Sequence, residues 1–306
     1  MRLVGVVDPD TTRADAVAAE FGCKAFGSID QMLTTHSEVQ AASVAVPTVL
    51  HRQVACDLME AGVDVLIEKP LAATLREADE LLLVALQQQR VAQVGHLERF
   101  NPAVRATLPL ISRPMFFEVH RLSMFSPRAL DVDVVLDLMI HDLDVVLTFV
   151  KSEVKEIRAV GLPILSGKVD IANVRVEFES GCVANFTASR VSTERVRKLR
   201  FFQPGQYISI DYGRQDVLVL SVGSPAAPAA MTMTSKPTVN PQIQMAKPPV
   251  TAEEPLLAEI KAFLQSVRDR SRPVVPLEDG RRALQLALAI LEEIRRHAGR
   301  IGVGKT

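Results

Sequence analysis

The sequence predicts a parallel α/β domain over residues 1–98 followed by an α+β domain with an open, mostly antiparallel sheet over 99–306. Three observations carry this. Up to residue 98, short apolar runs alternate with amphipathic helical stretches, as in a parallel sheet covered by helices on both faces. Beyond residue 100, short strands with partial period-two alternation follow one another closely, the pattern of an antiparallel sheet. With 306 residues, 48% of them apolar, the chain can fill two modest cores.

The elements follow in order. "VGVVD" (4–8) is a strand, and Ala14, Val17, Ala18 and Phe21 stand at helical spacing ahead of Gly22, a C-terminal cap. "CKAF" and a short helix near "SIDQML" lead to the buried strand "AASVAVP" (41–47) and the helix "TVLHRQVACDLMEAG". Strand "VDVLIEKP" (63–70), helix "TLREADELLLVALQQQ" and strand "VAQVGH" (91–96) complete the first domain. In the second, "MFFEVHRL", "VKEIRAV", "ANVRVEFES", "CVANFTASRV", "KLRFFQ", "YISIDY" and "DVLVLSV" read as strands, with a helix inserted at about 134–150. Residues 223–250 read as a long loop with one edge strand, and amphipathic helices at about 254–269 and 278–297 close the chain.

A net charge of −1 gives no broad attraction to nucleic acid or acidic membranes. The run "LLLVAL" (81–86) is far shorter than the roughly 20 residues of a bilayer span, and no secretion signal is expected at the start. Cys23, Cys56 and Cys182 are dispersed, without C-x-x-C spacing. They suit thiols in a reducing cytoplasm rather than a disulfide frame or metal cage.

Three segments could carry chemistry. An apolar run ending in Asp8 resembles the second strand of a nucleotide-binding sheet, whose terminal carboxylate accepts hydrogen bonds from the adenosine ribose. "IEKP" places Glu68 and Lys69 at the carboxyl end of a parallel strand, where open α/β sheets bind ligands; the plainer reading is two solvated charges ending a strand. "LDLMIHDLDVV" (136–146) sets Asp137 and His141 four apart on one helical face, with Asp144 a turn later. A carboxylate beside an imidazole can orient it and support its protonated form, as suits a general base. An ordinary ion pair is the simpler reading, and no further ligands support a zinc site. The tail "GRIGVGKT" (299–306) spells a phosphate loop, but a helix precedes it and no helix follows, so it reads as a frayed terminus.

Taken in order, "VGVVDPD", "VAVPTVLH", "EKP", "VGHLERFNPA", "DLMIHDLD" and "EPLLAEIKAFLQSV…PVVPLEDGRRALQLALAI" resemble the Gfo/Idh/MocA family of nicotinamide-dependent oxidoreductases over nearly the whole chain. The resemblance implies a Rossmann-type dinucleotide-binding domain, NAD as cofactor and a sugar bound between nicotinamide and the second sheet. It implies Lys69 at the reacting hydroxyl and nicotinamide ribose, with Asp137 and His141 as the pair relaying the substrate proton. Asp8, Pro9, Pro47, Thr48, His51, Glu68 and Lys69 would line the cofactor, with threonine at 48 where relatives often have asparagine. Asp8 favours NAD over NADP because a carboxylate repels a 2′-phosphate. His96, Arg99, Arg128, Asp137 and His141 would meet the substrate. Met139, where many relatives carry glycine, would add bulk beside it. Within the family, "GHLERFNPA" and "SPRALDVDVVLDLMIHDLD" are most like members acting on the nucleotide sugar UDP-N-acetylglucosamine. Its diphosphate would need cations: Arg99 and Arg128 first, then Arg121 and the run Arg195, Arg197, Lys198. Inositol-like or simple sugar oxidation, and non-catalytic sugar or nucleotide binding, are the alternatives. No metal is expected, and a homo-oligomer formed through the open sheet is.

Members of the family begin with a strand, a glycine-rich turn and a helix before a "VGVVDPD"-like segment. Here that segment comes first, so the first domain is expected to lack its first strand and helix, and about 25–30 residues, one strand–turn–helix unit, are expected upstream. Without the glycine turn that receives the pyrophosphate, NAD binding would be weak.

Overall fold

The computed structural model describes residues 2–126, 132–222 and 243–301. The first unit runs β1 (Gly5–Val7), α1 (Thr11–Phe21), β2 (Lys24–Phe26), α2 (Ile29–Thr35), β3 (Ala41–Val44), α3 (Thr48–Glu60), β4 (Asp64–Glu68), α4 (Leu75–Gln87) and β5 (Ala92–Gly95). Local chemistry sets the helix ends. Asp10 accepts from Arg13 N, Thr74 and Glu77 form a reciprocal capping box, and Gly22 closes α1 at φ 65°. Every pairing is parallel, but the sheet is in two pieces, β1–β2 and β3–β4–β5. A doubly wound sheet has its first strand at that junction, and no described strand lies there. From Asp64 to Ile67 β4 is buried throughout, as expected of a strand covered on both faces.

The second unit adds α5 (Pro102–Thr107), β6 (Phe116–Met124), α6 (Ile140–Phe149), β7 (Val154–Leu162), β8 (Ile171–Phe178), β9 (Val183–Ser192), β10 (Val196–Gln203), β11 (Gln206–Asp211), β12 (Asp216–Val222), β13 (Ile243–Ala246), α7 (Pro255–Asp269) and α8 (Leu277–Ile301). Its eight-stranded sheet has the order β13-β12-β11-β10-β6-β9-β8-β7, and within this sheet β6–β9 is the one parallel pair among the described residues. Alternate residues point inward. Phe117 and Val119 of β6, Phe186 of β9 and Phe201 of β10 are buried beside Phe149 of α6 and Ala287 and Ile290 of α8. The rings of Phe117 and Phe201 stack at 5.3 Å, and burying each such side chain contributes roughly 1.5–3 kcal/mol. On the opposite face the rings of Phe116, Phe202 and Tyr207 form a row, 5.8 and 5.1 Å apart, and Phe202 is 37% exposed.

The closing helices join the two units. Phe263 of α7, a helix expected within the second domain, packs on Leu66 and Val91 of the first. Leu277 and Leu284 of α8 share the first unit's core, whereas Ile290 and Ile294 share the second's. The approach of α8 to β5 depends on Gly280, where a Cβ would stand 2.6 Å from Val94 Cγ2. Helix propensity alone favours alanine over glycine by about 1 kcal/mol. Gly280→Ala is nevertheless expected to destabilise by about 1–3 kcal/mol through overpacking, read as a lower denaturant midpoint. An unchanged or raised midpoint would show that the contact relaxes freely.

Candidate active site

Strand β4 delivers Lys69 to its carboxyl end, ahead of the cis Lys69–Pro70 bond. Gly95 of β5 leaves room beside it, since a Cβ there would meet Glu68 Oε2 at 3.1 Å. Lys69 Nζ donates to Asp137 O at 2.7 Å and to Asp137 Oδ1 at 3.4 Å, with both side chains mostly buried. Asp137 lies in a π-helical turn, Val135–Met139, that leads into α6. Such a turn bonds i to i+5 rather than i to i+4 and is frequent at functional sites. The expected stacking of Asp137 against His141 assumed a regular α-helix. In the structure no hydrogen bond joins them among the described residues, and the Asp137 carboxylate faces Lys69.

His141 meets another imidazole, His96, edge to face at 6.4 Å between ring centroids. His96 is 1% exposed with both ring nitrogens unpartnered, and Nδ1 of the half-buried His141 is buried and unpartnered too. Burial, then the positive charges of Arg99 and Lys69, pushes His96 down to about 3. Burial, then Lys69 and Arg121, holds His141 well below the usual histidine range. Both rings are therefore held neutral, contrary to the expectation of an imidazolium supported by a carboxylate: burial and the neighbouring cations act in the same direction. Two neutral imidazoles beside an aspartate-held ammonium can accept and move a proton at neutral pH.

The expected cations are placed otherwise. Arg121, 4% exposed, donates to both Asp142 oxygens at 2.6 and 2.9 Å and to Glu98 Oε1 at 3.0 Å, with its guanidinium 5.2 Å from the Tyr212 ring centroid. It is thus spent on a buried network behind the histidines and does not face a diphosphate. Arg99 is paired with Asp279 and stands 3.5 Å from Asp144 Oδ2. It lines a cavity that none of Lys69, His96, Asp137 or His141 borders. Arg128 lies outside the described residues. Met139, expected beside the substrate, is 1% exposed in the second unit's core.

On the cofactor side, Asp8 Oδ1 accepts from Asp10 N at 2.8 Å and its Oδ2 from Arg13 at 3.3 Å, an arginine that sequence reasoning missed. Pro9 and Pro47 are exposed, and Thr48 begins α3. His51 is buried, with Nδ1 3.0 Å from Pro70 O and Nε2 2.9 Å from Val46 O, so it ties the β3–α3 turn to the turn after Lys69 rather than facing a ligand. The unpartnered buried nitrogens beside Lys69 fit a nicotinamide and substrate, and Asp8 fits a ribose. The β1–α1 turn is Asp8-Pro9-Asp10, and among the described residues no glycine-rich turn offers backbone N–H groups to a pyrophosphate. No cluster of potential metal ligands occurs among the described residues.

Comparison with known proteins settles the family. Residues 1–96 match the model of an oxidoreductase family with an NAD-binding Rossmann fold, and residues 113–203 match the GFO/IDH/MocA C-terminal domain. The UDP-N-acetylglucosamine 3-dehydrogenase of Acidithiobacillus ferrooxidans is 36% identical over 290 residues, covering 94% of this chain and 88% of that protein. The chain belongs to the Gfo/Idh/MocA oxidoreductases. The solved structure of that A. ferrooxidans enzyme superposes with a TM-score of 0.86 at 35% identity, covering 95% of this chain and 90% of that one. A scyllo-inositol 2-dehydrogenase (NAD(+)) of Bacillus subtilis is 27% identical over 206 residues, covering 62% of this chain and 60% of that protein. Myo-inositol 2-dehydrogenase of Lactobacillus plantarum, at 18% identity and a TM-score of 0.77 over 97% of this chain and 90% of that one, shares the fold. The chain is thus an NAD-dependent oxidoreductase of the Rossmann class with the two-unit architecture read from its sequence.

Proposed function

We propose that this oxidoreductase removes hydride from a ring carbon of a nucleotide sugar of the UDP-N-acetylglucosamine kind. The observation that carries the reading is the meeting of Lys69, Asp137, His96 and His141 at the carboxyl end of β4, against α6. The extent of likeness to the A. ferrooxidans enzyme supports the nucleotide-sugar class over inositol.

Asp8 would hold the adenosine ribose, with Pro9, Pro47 and Thr48 along the cofactor and Glu68 and Lys69 near the nicotinamide ribose. Bound NAD supplies the hydride acceptor. The Lys69 ammonium, fixed by Asp137, orients the reacting hydroxyl and favours its alkoxide form. Neutral His141 takes the hydroxyl proton, and the buried His96 closes the substrate side. Arg99 is held in its own ion pairs, which leaves Arg128 and the run Arg195, Arg197, Lys198 as candidates for the diphosphate. The three free cysteines suit a reducing cytoplasm, and no helix among the described residues is long and apolar enough to cross a membrane. The uncovered row Phe116–Phe202–Tyr207 supports a homo-oligomer formed through the open sheet.

Screening NAD reduction with UDP-N-acetylglucosamine, UDP-glucose, myo-inositol and free glucose tests the substrate class. Turnover is expected only with the UDP-linked sugars. Equal turnover with free glucose or inositol would contradict it, and none with any of the four would contradict the reaction.

A further inference from the structure

The cavity that Arg99 lines has a volume of about 250 Å³ and also carries Asp144, Lys151, Asp279 and Arg282. Its charges are unevenly matched. Arg99 is paired with Asp279 and bonds Val274 O. Lys151 and Arg282 make no ion pair or hydrogen bond among the described residues, and Arg282 acts on Asp144 only as a charge at longer range, so two cations face the cavity without a hydrogen-bonded partner. Asp144 presents the opposite need: its carboxylate is 2% exposed and its Oδ2 accepts no hydrogen bond, with Arg99 Nε at 3.5 Å as its nearest cation. A buried acceptor without a donor is costly, which makes this oxygen a place for a ligand hydrogen.

A ligand that answers both needs carries anionic oxygens and keeps an O–H. Monohydrogen phosphate has both. Sulfate has the charge and size but no proton to give at neutral pH, and Asp144 would repel it. We propose that this cavity is a second binding site, for a phosphate group that retains a proton, with Lys151 and Arg282 on its charged oxygens and the Asp144 carboxylate accepting from its P–OH. Burial holds the Asp144 carboxyl up to about 7, so above that pH it is the ionised acceptor the site requires. Above that pH free phosphate keeps its proton, whereas a phosphate monoester, whose second ionisation lies at about pH 6, has lost it. Arg99 follows His96 by three residues in one 3-10 turn, and Asp144 follows His141 by three on α6. Occupation therefore bears on both segments that present the histidines.

Titration calorimetry of the full chain at about pH 8 tests this, with inorganic phosphate, sulfate and glucose 6-phosphate as separate probes. Phosphate is expected to bind about tenfold more tightly than sulfate, and the double variant Lys151→Ala, Arg282→Ala to weaken phosphate about tenfold. Both side chains are at least partly exposed, so the fold should survive, which a thermal midpoint checks. Asp144→Asn should narrow the preference for phosphate over sulfate. Glucose 6-phosphate, a doubly ionised ester without a P–OH at this pH, is expected to bind more weakly than phosphate, and tighter binding would overturn the proposal. Absence of phosphate binding, equal affinity for sulfate, or affinity unchanged in the double variant would each overturn the proposal.

Discussion

Lys69→Ala is expected to cost about 10²–10⁴-fold in turnover, the range for loss of a positioned proton-handling group. Lys69 Nζ is fixed by the Asp137 carbonyl and carboxylate, so the ammonium is oriented before substrate arrives. Alanine leaves Asp137 and the two unpartnered imidazoles in place but removes the charge that favours the alkoxide. Lys69 lies outside both hydrophobic cores, so the fold should survive the change, with a modest loss of thermal stability from the unpaired Asp137. Steady-state kinetics with NAD and the preferred UDP-sugar, beside a melting curve, separates the two effects. Wild-type turnover in the variant would remove Lys69 from the mechanism.

Arg121→Met should be the most damaging change to folding. The guanidinium neutralises Asp142 and Glu98 with three hydrogen bonds of 2.6–3.0 Å in a fully buried setting. Burial first, and then the Glu98 charge, raises Asp142, and Arg121 works against that rise. Removing one partner of a buried pair leaves an uncompensated charge, at about 3–5 kcal/mol, against a total of roughly 5–15 kcal/mol. Denaturant unfolding should show a loss of this size, and a loss under about 1 kcal/mol would mean that water or rearrangement replaces the arginine. Asp142 adjoins His141 and Glu98 lies between His96 and Arg99, so the same network holds both histidine-bearing segments.

Much of the fold was legible because its periodicity is strong. The buried run of β4 and the alternation of β6, β8 and β10 mark their strands. The closing helices were harder to assign: nothing in the spacing of α7 says that Phe263 will pack on Leu66 and Val91 across the unit boundary. At the site, the residue types were readable and their pairing was not. The Asp137–His141 spacing implies a regular helix, and the π turn at Val135–Met139, which carries no sequence mark here, hands Asp137 to Lys69. The buried triad did leave a signal. Arg121 falls on the same inward face as Phe117 and Val119 in β6, and a charge on an apolar strand face calls for a buried counter-charge. Sequence reasoning instead offered it to a diphosphate, as it did Arg99, whose partners Asp144 and Asp279 are distant in the chain.

The central claim is that a neutral His141, kept so by burial and by neighbouring cations, accepts the substrate proton beside Lys69. The pH dependence of kcat/KM for the wild type and His141→Asn measures it most directly. A lowered pKa means that the base form persists as pH falls, so His141 should not reduce wild-type activity between about pH 8 and 6.5. Its protonation limb should appear only below 6.5, and His141→Asn should lower kcat/KM across the whole range. A wild-type limb centred at or above pH 6.5 that disappears in His141→Asn, or a variant with wild-type kcat/KM throughout, would contradict the account.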